Sequence, residues 1–129
     1  MNTPTKILVV DDEQDVVDLF RQRFRRELRN GSVCLEFAHC AEDALVRVGE
    51  IERPRVMLIL SDINMPGMSG LELLKSVKER WANLPVVMVT AYGDEENRRR
   101  ATELGAEDLI AKPIDFDALK ARLAALAEA

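Results

Sequence analysis

Two cysteines, Cys34 and Cys40, are all the sulfhydryl chemistry in 129 residues, so disulfide staples cannot be what holds this chain together. Their neighbour His39 completes a Cys–His–Cys cluster on paper, but that spacing fits no zinc site. Two cysteines without a secretion signal read as free thiols in a reducing, cytoplasmic compartment. The signal itself is missing: Met1 to Lys6 is followed by an apolar run of only Ile7 to Val10. No stretch approaches the ~20 apolar residues that a membrane span requires. Positive charge is also short, with 18 Lys and Arg against 23 Asp and Glu and a net charge of −5. Bulk electrostatics therefore opposes nucleic-acid binding, and no basic tail offsets it. Internal repeats, low-complexity segments and linkers are absent.

What remains is one domain's worth of ordinary globular sequence, 47% hydrophobic and 32% charged. Five short apolar runs recur: Ile7–Val10, Val33–Ala38, Val56–Leu60, Val86–Val89 and Leu109–Ala111. Each is followed by a helical pattern, an alternation that predicts βαβ units around a parallel sheet with helices on both faces. The first, third and fourth runs are apolar throughout, as doubly covered strands should be. Glu36 interrupts the second, which reads as an edge. The helices show seams at Val16, Phe20, Phe24 and Leu28; at Ala41, Leu45 and Val48; at Leu74, Val77 and Trp81; and at Leu119, Leu123 and Leu126. Ser69 with Glu72 forms a capping box for the third helix, Gly105 stops the fourth, and Asp115 caps the fifth. The fourth, near Asp94 to Leu104, offers only Ala101 and Leu104 to a core and should be the least firmly held. In the first, Asp12, Glu13, Asp15 and Asp18 precede Arg21, Arg23, Arg25, Arg26 and Arg29, which matches the helix macrodipole and predicts a solvated surface.

In such sheets, ligands bind at the carboxyl ends of the strands where strand order reverses. The first run delivers Asp11 and Asp12 to that edge, the third Ser61 and Asp62, the fourth Thr90 and Ala91, the fifth Lys112 and Pro113. Taken singly, each has an ordinary reading. Asp12 resembles a helix cap, Asp62 a turn former, Thr90 a strand residue and Lys112 a surface lysine. Together they place three carboxylates, a hydroxyl and an ammonium on one rim. Two carboxylates about 5–6 Å apart repel by about 3 kcal/mol at an effective dielectric of ~20, so three require a cation. An all-oxygen set suits Mg²⁺. A cation there would neutralise an incoming phosphoryl group while the ammonium and hydroxyl held its other oxygens. Pro113 keeps Lys112 out of the helical region and helps present it from a strand end.

Asp11-Asp12, the segment Ser61-Asp62-Ile63-Asn64-Met65-Pro66-Gly67-Met68-Ser69-Gly70, Val89-Thr90-Ala91, and Gly105-Ala106 leading to Lys112-Pro113 are similar in order and spacing to the receiver domain of bacterial response regulators. The resemblance runs from Lys6 to about Leu126. It implies a flavodoxin-like α/β fold with a doubly wound, five-stranded parallel sheet of order 2-1-3-4-5 and five helices. It also implies one receiver domain over 1–129 with no output domain in this chain. Asp62 would accept a phosphoryl group from a histidine kinase or histidine phosphotransfer protein. Asp12, Asp62 and the carbonyl of Asn64 would bind Mg²⁺ (or Mn²⁺) directly, and Asp11 through water. Lys112 and Thr90, with Ala91 beside it, would hold the phosphoryl oxygens, and the Lys112–Pro113 bond is often cis. Such a protein is a switch rather than an enzyme, catalysing only its own phosphorylation and dephosphorylation. It would signal through its fourth helix and fifth strand to a downstream protein, with no direct contact to nucleic acid or membrane.

Two departures stand out. Leu109 occupies a position where the family often has an inward-turning aromatic ring, and the charged pairs of the dimerising, DNA-binding branch cannot be traced. The competing enzyme reading, a haloacid-dehalogenase-type phosphatase, needs a second Asp two residues after its nucleophile, where this chain has Asn64. A flavodoxin relative would need a Gly- or Ser/Thr-rich phosphate loop after the first strand, where Asp11-Asp12-Glu13 stands.

Overall fold

The computed structural model describes residues 5–50, 57–90 and 94–128. Among these, five strands form one parallel sheet: β1 (Thr5–Val10), β2 (Val33–Ala38), β3 (Met57–Asp62), β4 (Val86–Thr90) and β5 (Asp108–Ala111). Their order is β2-β1-β3-β4-β5, as the resemblance implies. The strand with Glu36 lies at an edge, where a charged side chain blunts further pairing. The expected start of the third strand, Val56, falls outside the described residues.

Alternation along the strands builds two cores. Leu8, Val10, Ile59 and Met88 face one way and meet Ala41, Ala44 and Val48 of α3 (Ala41–Glu50), Leu71, Leu74 and Val77 of α4 (Gly70–Arg80), and Ala101 of α5 (Glu95–Glu103). Ile7, Val9, Leu58, Leu60, Val87 and Val89 face the other way. They meet Phe20, Phe24, Leu119 and Leu123 from α1 (Asp15–Arg23), α2 (Arg25–Asn30) and α6 (Phe116–Glu128), with Phe24 at the α1–α2 junction.

Among the described residues six helices stand where five were expected, because the first bends at Phe24. That residue has φ −100° and ψ 16°, outside the helical region, and separates α1 from α2. Hydrogen bonds nevertheless continue across it: Phe24 N–H donates to Phe20 O at 2.9 Å and Leu28 N–H to Phe24 O at 2.8 Å. The seam of Val16, Phe20, Phe24 and Leu28 thus stays on the core side through the bend. A side chain from another element sits at the break, a recognised cause of a kink. Lys120 Nζ of α6 donates to Arg23 O at 2.6 Å, pairs with Glu27 Oε1 at 3.3 Å and lies over the Phe24 ring.

The expected stops and starts are realised. Ser69 Oγ accepts from Glu72 N–H at 3.2 Å, and Asp115 Oδ1 accepts from the amides of Asp117 and Ala118. After α5, Gly105 at φ +97° donates to Thr102 O while Ala106 donates to Ala101 O, the paired bonds of a Schellman turn. Within α5 only Ala101 is buried, so this helix is as thinly anchored as its sequence suggests.

Candidate functional site

Residues two apart on a strand share a face, and this rule aims the site. Leu60 and Asp62, Val9 and Asp11, and Ile110 and Lys112 are such pairs, so the register continues the α1/α6-side core into a charged rim. The ladder places Val10 beside Ser61, Asp62 beside Val89, and Thr90 beside Ala111. Beyond the last rungs, Asp11 N–H donates to Ala38 O at 3.1 Å and Lys112 N–H to Thr90 O at 2.9 Å, which extends the backbone order past the strand ends.

Asp62 is 5% exposed, and one of its oxygens is paired across 50 residues of chain: Lys112 Nζ donates to Oδ2 at 3.0 Å. The other, Oδ1, faces the Asn64 amide at 3.4 Å. Carboxylate oxygens of Asp11, Asp12 and Asp62 all lie within 4.8 Å of one another. Asp11 Oδ1 also accepts from Glu13 N–H at 2.9 Å. Burial raises the Asp11 pKa above its ordinary value, and the charges of Asp62 and Glu13 add to this. The Glu13 amide and Lys112 act the other way without cancelling the rise. Burial alone would lower the Lys112 pKa, but the hydrogen bond and charge of Asp62, with Asp11 and Glu13, raise it, so the ammonium form is held. The Lys112–Pro113 peptide is cis.

The structure therefore brings Asp11, Asp12, Asp62 and Lys112 together. Asn64 enters through its backbone while its side chain is exposed. Thr90 is fully buried one residue beyond the β4 partner of Asp62. Ala91 lies outside the described residues. Leu109 sits beside Met88 on β4 and packs, partly buried, against the α3/α4/α5-side core. The capping role considered for Asp12 is not what the fold uses: α1 is capped at Gln14, without a side-chain hydrogen bond.

Two residues to which the sequence alone assigned no role adjoin the acceptor position. Ser61, fully buried, donates from Oγ to the carbonyl of Asp62 at 3.0 Å. Gly70 opens α4 so close to the same peptide that a Cβ there would stand 2.1 Å from Asp62 O. The signals were a hydroxyl inside an apolar strand and a glycine at the first position of a helix.

Chemically, this is a buried carboxylate with one oxygen on a fixed ammonium, flanked by two further carboxylates. Three converging carboxylates with an oxygen-only donor set, crowded enough to raise the pKa of one member, fit a hard divalent cation such as Mg²⁺.

Comparison with known proteins agrees with this geometry. The response regulator receiver domain, as a family description, matches residues 7–124. The chain is 40% identical to the DNA-binding transcriptional regulator NtrC of Proteus hauseri over 86% of its length and 22% of that protein's. It is 34% identical to the two-component response regulator PhoP of Pseudomonas aeruginosa, over 94% of this chain and 51% of that one. The sporulation initiation phosphotransferase F of Bacillus subtilis is 34% identical, with 89% of this chain and 87% of that one covered. This chain thus spans about half or less of the first two relatives. Among solved structures, the chemotaxis response regulator CheY4 of Vibrio cholerae superposes with a TM-score of 0.76 at 28% identity, covering 94% of this chain and 97% of that one.

Proposed function

Because this chain belongs to the response regulator receiver domain family, whose function is to accept a phosphoryl group, we propose that Asp62 is the residue by which it does so. The observation that carries the assignment is the buried Asp62 carboxylate, held by Lys112 at 3.0 Å and crowded by Asp11 and Asp12. A carboxylate oxygen of Asp62 attacks phosphorus of a phosphohistidine. The new O–P bond gives an acyl phosphate, the P–N bond breaks, and its electron pair leaves with the imidazole. Lys112 then has a phosphoryl oxygen to hold in place of the carboxylate, and the Thr90 hydroxyl a second.

Receiver domains bind Mg²⁺ at an acidic pocket. Here Asp12, Asp62 and the Asn64 carbonyl would hold it, with Asp11 behind water, and when bound it supplies positive charge against the phosphoryl oxygens. The donor is a histidine kinase or a phosphotransfer protein, and the compartment is the cytoplasm. The readout is a downstream protein. The only turnover is formation and loss of the chain's own phosphate. Among the described residues no helix is long and apolar enough to cross a membrane. Asn64 stands where a haloacid-dehalogenase-type phosphatase needs its second acid, and no observation favours that alternative.

The test is labelling by a small acyl phosphate with Mg²⁺, read by intact mass. Wild type should gain one phosphoryl group, Asp62→Asn none, and a chelator should stop the reaction. Undiminished labelling of Asp62→Asn would remove Asp62 as the acceptor.

A further inference from the structure

Ser61 is a polar residue where the sheet has no evident use for one. It is 0% exposed, in β3, flanked by Val10 on β1 and Met88 on β4, and it faces the apolar core covered by α3 and α4. A hydroxyl buried there without a partner would be destabilising, so what it bonds to matters. Its Oγ donates to the carbonyl oxygen of Asp62 at 3.0 Å. The β1–β3 pairing runs out at the Val10–Ser61 rung, one residue short of that carbonyl. Ser61 therefore gives the Asp62 carbonyl a hydrogen bond just where the ladder ends.

The same carbonyl is also closely approached by Gly70. Its missing Cβ would fall 2.1 Å from Asp62 O and 2.8 Å from Ile63 Cα, while its amide donates to Ile63 O at 2.8 Å. The Asp62–Ile63 peptide thus meets both a hydroxyl from its own strand and the first residue of α4. A rotation of this peptide would carry Ile63 and Asn64 with it and take the Asn64 amide away from Asp62 Oδ1, which it faces at 3.4 Å.

We propose that Ser61 is a positioning residue for phosphoryl acceptance: its hydroxyl fixes the Asp62–Ile63 peptide and so the Asn64 backbone that faces the Asp62 carboxylate. This rests on the reading of Asp62 as the acceptor. Misplacing a reacting group by about 1 Å can cost ~10²-fold in rate, and a partly loosened peptide should cost about tenfold.

The experiment compares wild type, Ser61→Ala, Ser61→Thr and Ser61→Cys for their rate of labelling by a small acyl phosphate, at saturating Mg²⁺ and over a range of donor concentrations. Ser61→Ala should be about tenfold slower at saturating donor, with its half-saturating donor concentration nearly unchanged and Asp62 still the labelled residue. Ser61→Thr, which keeps the hydroxyl, should recover most of the rate. If Ser61→Ala does not fold, Ser61→Cys, close in size and a weaker donor, is judged by the same criteria. Wild-type rates in the variant without the hydroxyl would overturn the proposal. Equal slowing of all variants would also overturn it, by assigning the effect to packing. Failure of wild type to label would instead sink the assignment of Asp62, so the two failures are distinct.

Discussion

Asp11 accepts the Glu13 amide at 2.9 Å and so shapes the turn after β1, whereas Asp12 caps no helix, since the N-cap of α1 is Gln14. The two adjacent acids therefore make different contributions to the metal-free fold. Removing Asp12 relieves repulsion within the carboxylate cluster and forfeits no cap. Asp12→Ala should weaken Mg²⁺ binding while its melting midpoint in chelator stays equal to wild type or rises. Asp11→Ala gives up a turn-forming bond of about 1 kcal/mol, so in chelator it should gain less than Asp12→Ala, or lose. Thermal melts of the three proteins check this, and a clear drop for Asp12→Ala would make that residue structural. The carboxylates and Lys112 were legible because each sits at the end of an apolar run, where a parallel sheet must present the next side chains at its rim. Gly70 was not, because the Asp62 and Ile63 backbone it must clear comes near only in the fold, and Ser61, though placed at the same rim, shows its role only through the carbonyl it bonds.

Elements were legible where their signals are local. Ser69, Gly105 and Asp115 end or begin helices by bonding to residues within four positions of themselves. The bend at Phe24 was invisible for the opposite reason. The cation at the break, Lys120, comes from 97 residues beyond the carbonyl it meets. Replacing Lys120 by Met keeps a stem over Phe24 but leaves the Arg23 carbonyl without that donor. Stability should fall by about 1 kcal/mol, read as a lower urea midpoint with an unchanged slope. An unaltered midpoint would mean that the bend is set by Phe24 alone. Gly70 is the stricter constraint, since backbone atoms of Asp62 and Ile63 occupy the space of a Cβ. Gly70→Ala should cost about 1–3 kcal/mol of overpacking and should slow labelling of Asp62, because α4 can retreat only by releasing that peptide. A protein as stable and as readily labelled as wild type would contradict the close approach.

At the scale of the whole molecule, one thin anchorage lies far from the acid cluster in sequence. Only Ala101 of α5 is buried, and Leu109 beside it carries no ring to turn inward. A helix with little to lose is the element most easily rearranged when the acceptor is modified. Phosphorylation, or a beryllofluoride mimic, should alter amide exchange over residues 94–104 more than in α3 or α4. Hydrogen-exchange mass spectrometry decides, and an unaltered α5 in a demonstrably modified protein would place the output on another face. The overall sheet order was readable from the alternation of runs together with the resemblance, since a parallel strand needs a crossover and the crossovers fix which residues reach the rim.

The span between the acceptor and its lysine also has a meaning in time. Asp62 and Lys112 are 50 residues apart, on β3 and just after β5. A ribosome adding roughly 5–20 residues each second needs about 2.5–10 s to cover that distance. Throughout that interval the nascent chain carries its acceptor without the ammonium that will pair with it. The site therefore cannot be complete before β5 has emerged and docked, and a partly made chain is poorly equipped to take a phosphoryl group.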